Sequence, residues 1–216
     1  YRVKSAKLLA MLVLTQRGTP VLYQGEEIGM TNYNFKSLHQ FDDLEVLGNL
    51  PKALTSGITK NKYLDYLNLS SRDHSRTTMQ WNNRSHGGFT INDKNWFVSN
   101  SNYDSINVEN DMKNSDSIFH FYKNLIDLRK KSDDLIYGKY CDLDPNHKNV
   151  FIYQRQGKIY SYLIILNMSE NLMTYDVHNL TDYSLEISNR NIDINYYSNQ
   201  IELLPWDALI LKNKLC

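Results

Sequence analysis

Apolar residues occupy nearly every position from Leu8 to Leu14, inside a run that opens at Arg2 and closes at Gln16. This pattern predicts a helix over Arg2–Gln16 that is apolar on nearly all faces, as in a helix wedged between neighbours rather than lying on a surface. Gly18 supplies its C-terminal stop, and Pro20 forbids continuation. The run PVLYQ (Pro20–Gln24), bounded by Gly18 and Gly25, predicts a short parallel strand buried on both sides. Helix, tight turn and buried strand in that order make one step of an α/β fold.

The pattern then turns polar from Glu26 to Ser115, with short helices expected near Asp43–Leu54 and Lys60–Asn68. An excursion this long after a strand is a functional signal. It ends at a helix predicted over Asp116–Lys131, capped by Ser115 or Asp116, with Ile118, Phe121, Tyr122, Leu125, Ile126 and Arg129 at helical spacing. After Gly138 the periodicity changes. VFIYQRQ, KIYSYLIIL, LMTYDV, YSLEI, QIELL and ALILK are short β-rich runs punctuated by Asn, Gly, Ser and Pro, with a hairpin turn at Gln156-Gly157. They predict a small antiparallel β-sandwich from Tyr137 onward. The chain therefore divides into an α/β segment, 1–136, and an all-β domain, 137–216.

Composition narrows the function. The 216 residues carry 24 basic and 24 acidic side chains, which gives no electrostatic argument for nucleic acid or an anionic membrane. A hydrophobic fraction of 41% supports a sizeable core, so disorder is not expected. Sixteen tyrosines and three tryptophans can both pack and hydrogen-bond a polar ligand. Cys141 and Cys216 are expected as reduced thiols in a cytoplasmic protein. The first helix is too short to span a bilayer and lacks a cleavage site for a leader. The chain opens without methionine and without a lead-in to that helix, so it is expected to be part of something longer.

Candidate chemistry clusters in the polar excursion. Glu26 and Glu27 follow the expected strand, where barrel enzymes place working groups. Adjacent residues on an extended segment point apart, so they cannot form the carboxylate pair of a retaining glycosidase, which needs about 5–5.5 Å across a bond. One is expected to tie down the strand end and the other to be solvated. His39, His74 and His86, near Asp42, Asp43 and Asp73, lack metal-ligand spacing, and no phosphate loop or nucleophile elbow occurs. No cofactor or metal is expected. SRDHSRTTMQW (Ser71–Trp81) stands out as too polar for a strand or a buried helix, and the residues alone suggest only a carbohydrate-like polar cleft.

RGTPVLYQGEEIGMTN (Arg17–Asn32) and SRDHSRTTMQW resemble the closing barrel segment and substrate loop of the oligo-1,6-glucosidase group of the α-amylase superfamily. GGFT (Gly87–Thr90), NW (Asn95-Trp96), NYDSINVE (Asn102–Glu109), SIFHFYKNLIDLRKK (Ser117–Lys131) and LPWDALILK (Leu204–Lys212) follow in the same order. The resemblance implies the C-terminal part of a (β/α) TIM-type barrel followed by a β-sandwich, in a retaining α-glucosidase acting on isomalto-oligosaccharides or dextran. The rest of the barrel would be a partner. The family's catalytic aspartate, glutamate and hydroxyl-clamping aspartate match nothing here, and no Asn-His-Asp motif is present, so no catalytic residue is assigned.

By the same resemblance Arg72 reaches the non-reducing glucose, a task suited to a planar fork that stays charged. Asp73 would hold that fork, Arg76 would brace the loop, and Glu26 would fasten the segment before it. Met79 and Trp81 are expected in packing. Thr78, Asn95 and Ser101 stand where the group has proline, and His74-Ser75 where it has asparagine-alanine, which implies a less rigid loop. Trehalose-6-phosphate hydrolases and sucrose isomerases share these motifs. A non-catalytic carbohydrate-binding module is the alternative from another class.

Overall fold

The computed structural model describes residues 1–215. Cys216, and with it the pairing question for Cys141, lies outside the described residues. The chain forms two compact units, one comprising Tyr1–Glu27 and the chain from Asn114 onward, the other Ile28–Lys113.

In the first unit, helix α1 (Arg2–Thr15) packs on α5 (Ile118–Lys131), and a short α6 (Asp133–Tyr137) follows. Ser117, rather than Ser115 or Asp116, caps α5, its hydroxyl accepting from the His120 amide at 3.2 Å. The strands are β1 (Lys139–Asp142), β2 (Val150–Gln156), β3 (Tyr160–Asn167), β4 (Met173–Asp176), β5 (Ser184–Ser188), β6 (Gln200–Leu203) and β7 (Ala208–Lys214). They pair antiparallel as a five-stranded sheet, β1-β2-β3-β7-β5, and a two-stranded sheet, β4-β6.

The large sheet is covered on both faces. Tyr153, Tyr162, Ile164, Leu166 and Ile210 share a core with Leu8, Met11 and Leu14 of α1 and Phe121 and Leu125 of α5. Ile152, Leu163, Ile165 and Leu209 share another with Ile201 and Leu203 of the small sheet. This double burial explains why β3 reads as an almost unbroken apolar run rather than an alternating one.

Two expectations change in this unit. PVLYQ forms no strand; Val21 is 81% exposed, with Leu22 and Tyr23 also exposed. A strand is stabilised by neighbours that accept and donate its ladder bonds, and none of the described strands pairs with this segment. Likewise α1 buries one apolar face while Val3 and Leu9 stay exposed on another. The segment between them is nonetheless firmly held. Arg129 donates to the carbonyls of Leu14, Gln16 and Gly18 at 2.6–3.0 Å, and Arg155, fully buried, donates to that of Thr15 at 2.8 Å. This is why an arginine sits in the apolar stripe of α5: its head caps the C-terminal carbonyls of α1.

The β2–β3 hairpin is fastened by Asp134, whose carboxylate accepts from the amides of Lys158, Ile159 and Tyr160 at 2.7–3.0 Å. A Cβ at Gly157 would overlap that carboxyl group. Because three amides pin the carboxylate, it cannot step aside. Gly157→Ala should therefore cost about 1–3 kcal/mol, typical of overpacking. Urea denaturation should show a lower midpoint at unchanged slope, and the penalty should shrink when Asp134 is also replaced by alanine.

In the second unit, α2 (Leu44–Thr55) and α3 (Lys60–Ser70) enclose a small core of Phe35, Phe41, Val46 and Leu67, and α4 (Val108–Lys113) closes the segment. Asp43 caps α2 and Thr59 caps α3. Met79 is buried with Ile28 and Ile106, whereas Trp81 is half exposed.

Candidate functional site

Helix α3 stops at Ser70 because Ser71 takes an extended conformation (φ −66°, ψ 140°). The Ser71 hydroxyl then accepts from the Asp73 amide and starts a short 3₁₀ turn, Arg72–Arg76. The tight turn sends neighbouring side chains in opposite directions. The Arg72 side chain is 64% exposed, whereas Asp73 is fully buried.

Asp73 is a staple. One of its oxygens accepts from the amides of Asp42 and Asp43 at 2.8 and 3.1 Å, and the other accepts from Arg76 Nη1 at 2.5 Å. It thereby ties the turn to the two residues that lead into α2. Arg76 lies 3.8 Å from Asp43 Oδ2 as well.

Asp43, so positioned, holds the Arg72 fork. Arg72 Nε and Nη2 donate to its two oxygens at 2.9 and 3.0 Å, and Nη2 also donates to Glu45 at 2.7 Å. This corrects the expected role of Asp73: its oxygens face inward and are already taken, so Asp43 and Glu45 fix the guanidinium instead. The Glu45 amide and the Arg72 guanidinium hold the Asp43 carboxyl below its usual 3.8. A depressed carboxylate pKa means the pairing is intact above pH 3.8 and is lost only as Asp43 protonates at lower pH. Arg72 Nη1 makes no hydrogen bond among the described residues. The fork is thus aimed and charged, with one edge left over. Beside it lies a pocket of about 170 Å³ lined by Asp43, Glu45, Asn49, Tyr63 and Arg72.

The other candidates separate. Glu26 is exposed, and the carboxylate that fastens the turn belongs to Glu27, which accepts from the Gly25 amide at 2.7 Å. Glu26 therefore is not the brace: on this tight turn, the next carboxylate folds back to the amide two residues before it. Burial, reinforced by Glu26 and Glu27, pushes the nearby Tyr122 phenol well up. His74 faces the Leu67 carbonyl at 3.0 Å and stacks near Phe35, a packing role. Among the described residues no group of three His, Cys, Asp or Glu side chains could hold a metal ion.

Asp43 and Glu45 were not legible as site residues. The Asp-Leu-Glu at the start of an amphipathic helix announces a cap, but not an arginine 29 positions later.

Residues 1–138 match the family described as alpha amylase, catalytic domain. A glucan 1,6-alpha-glucosidase of Streptococcus dysgalactiae subsp. equisimilis is 40% identical over 212 residues, covering 98% of this chain and 39% of the relative. An oligo-1,6-glucosidase of Bacillus cereus is 37% identical over 217 residues, covering 99% of this chain and 39% of the relative. The crystal structure of isomaltulose synthase from Klebsiella sp. LX3 superposes with a TM-score of 0.89 at 40% identity, over 98% of this chain and 38% of that one. The chain spans about two fifths (39%) of the length of the curated relatives it matches.

Proposed function

Since the chain belongs to the alpha-amylase family, we propose that it forms the C-terminal part of a retaining α-glucosidase acting at the non-reducing ends of isomalto-oligosaccharides or dextran. The bonds cleaved are α-1,6 linkages, with α-1,4 linkages as a second class. The observation that carries this reading is the Arg72 guanidinium, fixed through Nε and Nη2 with its Nη1 edge free for two sugar hydroxyls. A rigid, permanently charged donor suits vicinal oxygens that never change protonation state.

Residues 1–136 then form the last part of a (β/α) barrel, and 137–216 the β-sandwich domain. The PVLYQ segment supports the first assignment, because its exposed Val21, Leu22 and Tyr23 suit a strand that packs among barrel neighbours. The two antiparallel sheets support the second. The remaining barrel is the partner that would cover these residues. A second reading, a sucrose isomerase, is favoured by the likeness to isomaltulose synthase. No helix among the described residues is long and apolar enough to cross a membrane. Cytoplasmic action is part of the proposal.

The nucleophile and the acid/base are assigned outside these 216 residues. Of the adjacent pair that follows PVLYQ, Glu27 is spent on the Gly25 amide. The purified chain should accordingly hydrolyse an aryl α-glucoside no faster than a mock preparation, because the covalent route and acid–base catalysis are both missing. Turnover clearly above that background would sink this assignment.

A further inference from the structure

Between the C-terminal end of α5, the β2–β3 hairpin and strands β3, β5 and β7 lies a groove of about 550 Å³, within the usual range for small-ligand sites. It belongs to the unit that holds the sheets, whereas Arg72 belongs to the other. Its floor is apolar. Tyr160 and Tyr162 lie with ring centroids 6.4 Å apart, and Ile159 and Leu128 line it beside them.

Its polar groups fall into two sets. Asp134 is spent on three backbone amides, and Glu186 pairs with Lys212 at 3.3 Å, whose ammonium sits 4.3 Å from the Tyr160 ring centroid. The second set is unspent. Lys130, Lys131 and Asp133 line the groove and make no side-chain hydrogen bond or ion pair among the described residues. Tyr162 is 1% exposed as a residue, and its hydroxyl, which makes no hydrogen bond there, is not among the fully buried unpaired polar atoms.

That hydroxyl is therefore open to the groove, where water or a ligand can satisfy it. The unspent set offers ammonium donors, a carboxylate acceptor and a phenol that can do either, over a floor where Tyr160, Ile159 and Leu128 expose apolar surface. A compact anion would gain from the two lysines but would face Asp133 and Glu186, and would leave the floor unused. A glucose ring presents hydroxyls of both senses on its rim and a C–H face for the floor. We propose that this groove binds a segment of neutral α-glucan, as a second carbohydrate contact in addition to Arg72. The inference takes its ligand class from the proposed function and extends it to a separate site.

The test is affinity electrophoresis of the full chain in native gels with and without dextran, comparing wild type, Lys131→Ala, Tyr162→Phe and Arg72→Ala. Dextran should retard the wild type, and Lys131→Ala and Tyr162→Phe should each weaken the apparent affinity about three- to tenfold, the effect of one hydrogen bond. Arg72→Ala should keep most of the retardation, which separates this groove from the Arg72 site. Neither groove variant breaks a protein hydrogen bond, so both should retain the wild-type urea midpoint. Should Tyr162→Phe lower that midpoint, the exposed Lys131→Ala decides alone. Absence of retardation, equal retardation in wild type and groove variants, or loss in Arg72→Ala alone would overturn the proposal. So would competition by millimolar inorganic phosphate, which would assign the groove to anions. Wild-type hydrolysis by Arg72→Ala in the complete enzyme would count against the glucosidase reading, not against the groove.

Discussion

Arg72→Ala, made in the complete enzyme proposed above, should lower kcat/KM on isomaltose about ten- to a hundredfold while leaving the fold intact. The magnitude follows from losing charge-assisted hydrogen bonds to sugar hydroxyls, about 1.5–3 kcal/mol. The fold should survive because the Arg72 side chain is 64% exposed and the Asp43 carboxylate, only 5% exposed, still has Arg76 at 3.8 Å. Asp43 also keeps its capping bond to the Glu45 amide without Arg72. Arg72→Lys should recover only part of the activity. A single ammonium cannot bridge both Asp43 oxygens and Glu45 while presenting a free planar edge. Steady-state kinetics alongside a thermal melt check both halves of the expectation. Wild-type kcat/KM in Arg72→Ala would reduce the Asp43–Arg72–Glu45 cluster to a surface ion pair and remove the observation on which the glucosidase reading stands.

How much of this could be read from the chain depended on whether the signal was local. α1, α2, α3 and α5 lie within a few residues of their expected limits, because periodicity, caps and glycine stops are local. The same holds for β2 to β7, punctuated by turn residues. β1 escaped notice: KYCD is an edge strand with alternating partial exposure and one partner, β2, so it carries no apolar signature. PVLYQ failed in the opposite sense. Its composition is that of a buried strand, but a strand is a property of the neighbours, and composition cannot supply them. The candidate site shows the same division. Arg72 stood out by residue type and motif, whereas its true partners, Asp43 and Glu45, come from the cap of another helix. The adjacent Asp73 looked like the natural partner, yet the 3₁₀ turn directs the two side chains apart.

Asp73→Ala should be among the most destabilising single changes in the Ile28–Lys113 unit, at about 3 kcal/mol. Asp73 is fully buried and accepts from two backbone amides and a guanidinium. Truncation leaves the Asp43 amide without its acceptor at a buried position, while Arg76, which is 38% exposed, can turn to water. The amide therefore accounts for most of the cost. Asp73→Asn should cost less, about 1–2 kcal/mol, since its carbonyl oxygen can still accept from the amides but its NH₂ group meets Arg76 donor to donor. Urea denaturation gives the energies, and hydrogen exchange at the Asp43 amide shows whether this latch has opened. The functional consequence follows from the same geometry, because the Asp43 backbone that Asp73 fastens also positions the carboxylate that aims Arg72. Asp73→Ala should thus lower kcat/KM in the complete enzyme, yet add little once Arg72 is already alanine, since both changes act through one contact. Fully additive losses would mean that Asp73 acts on the substrate loop by a route that does not pass through Arg72.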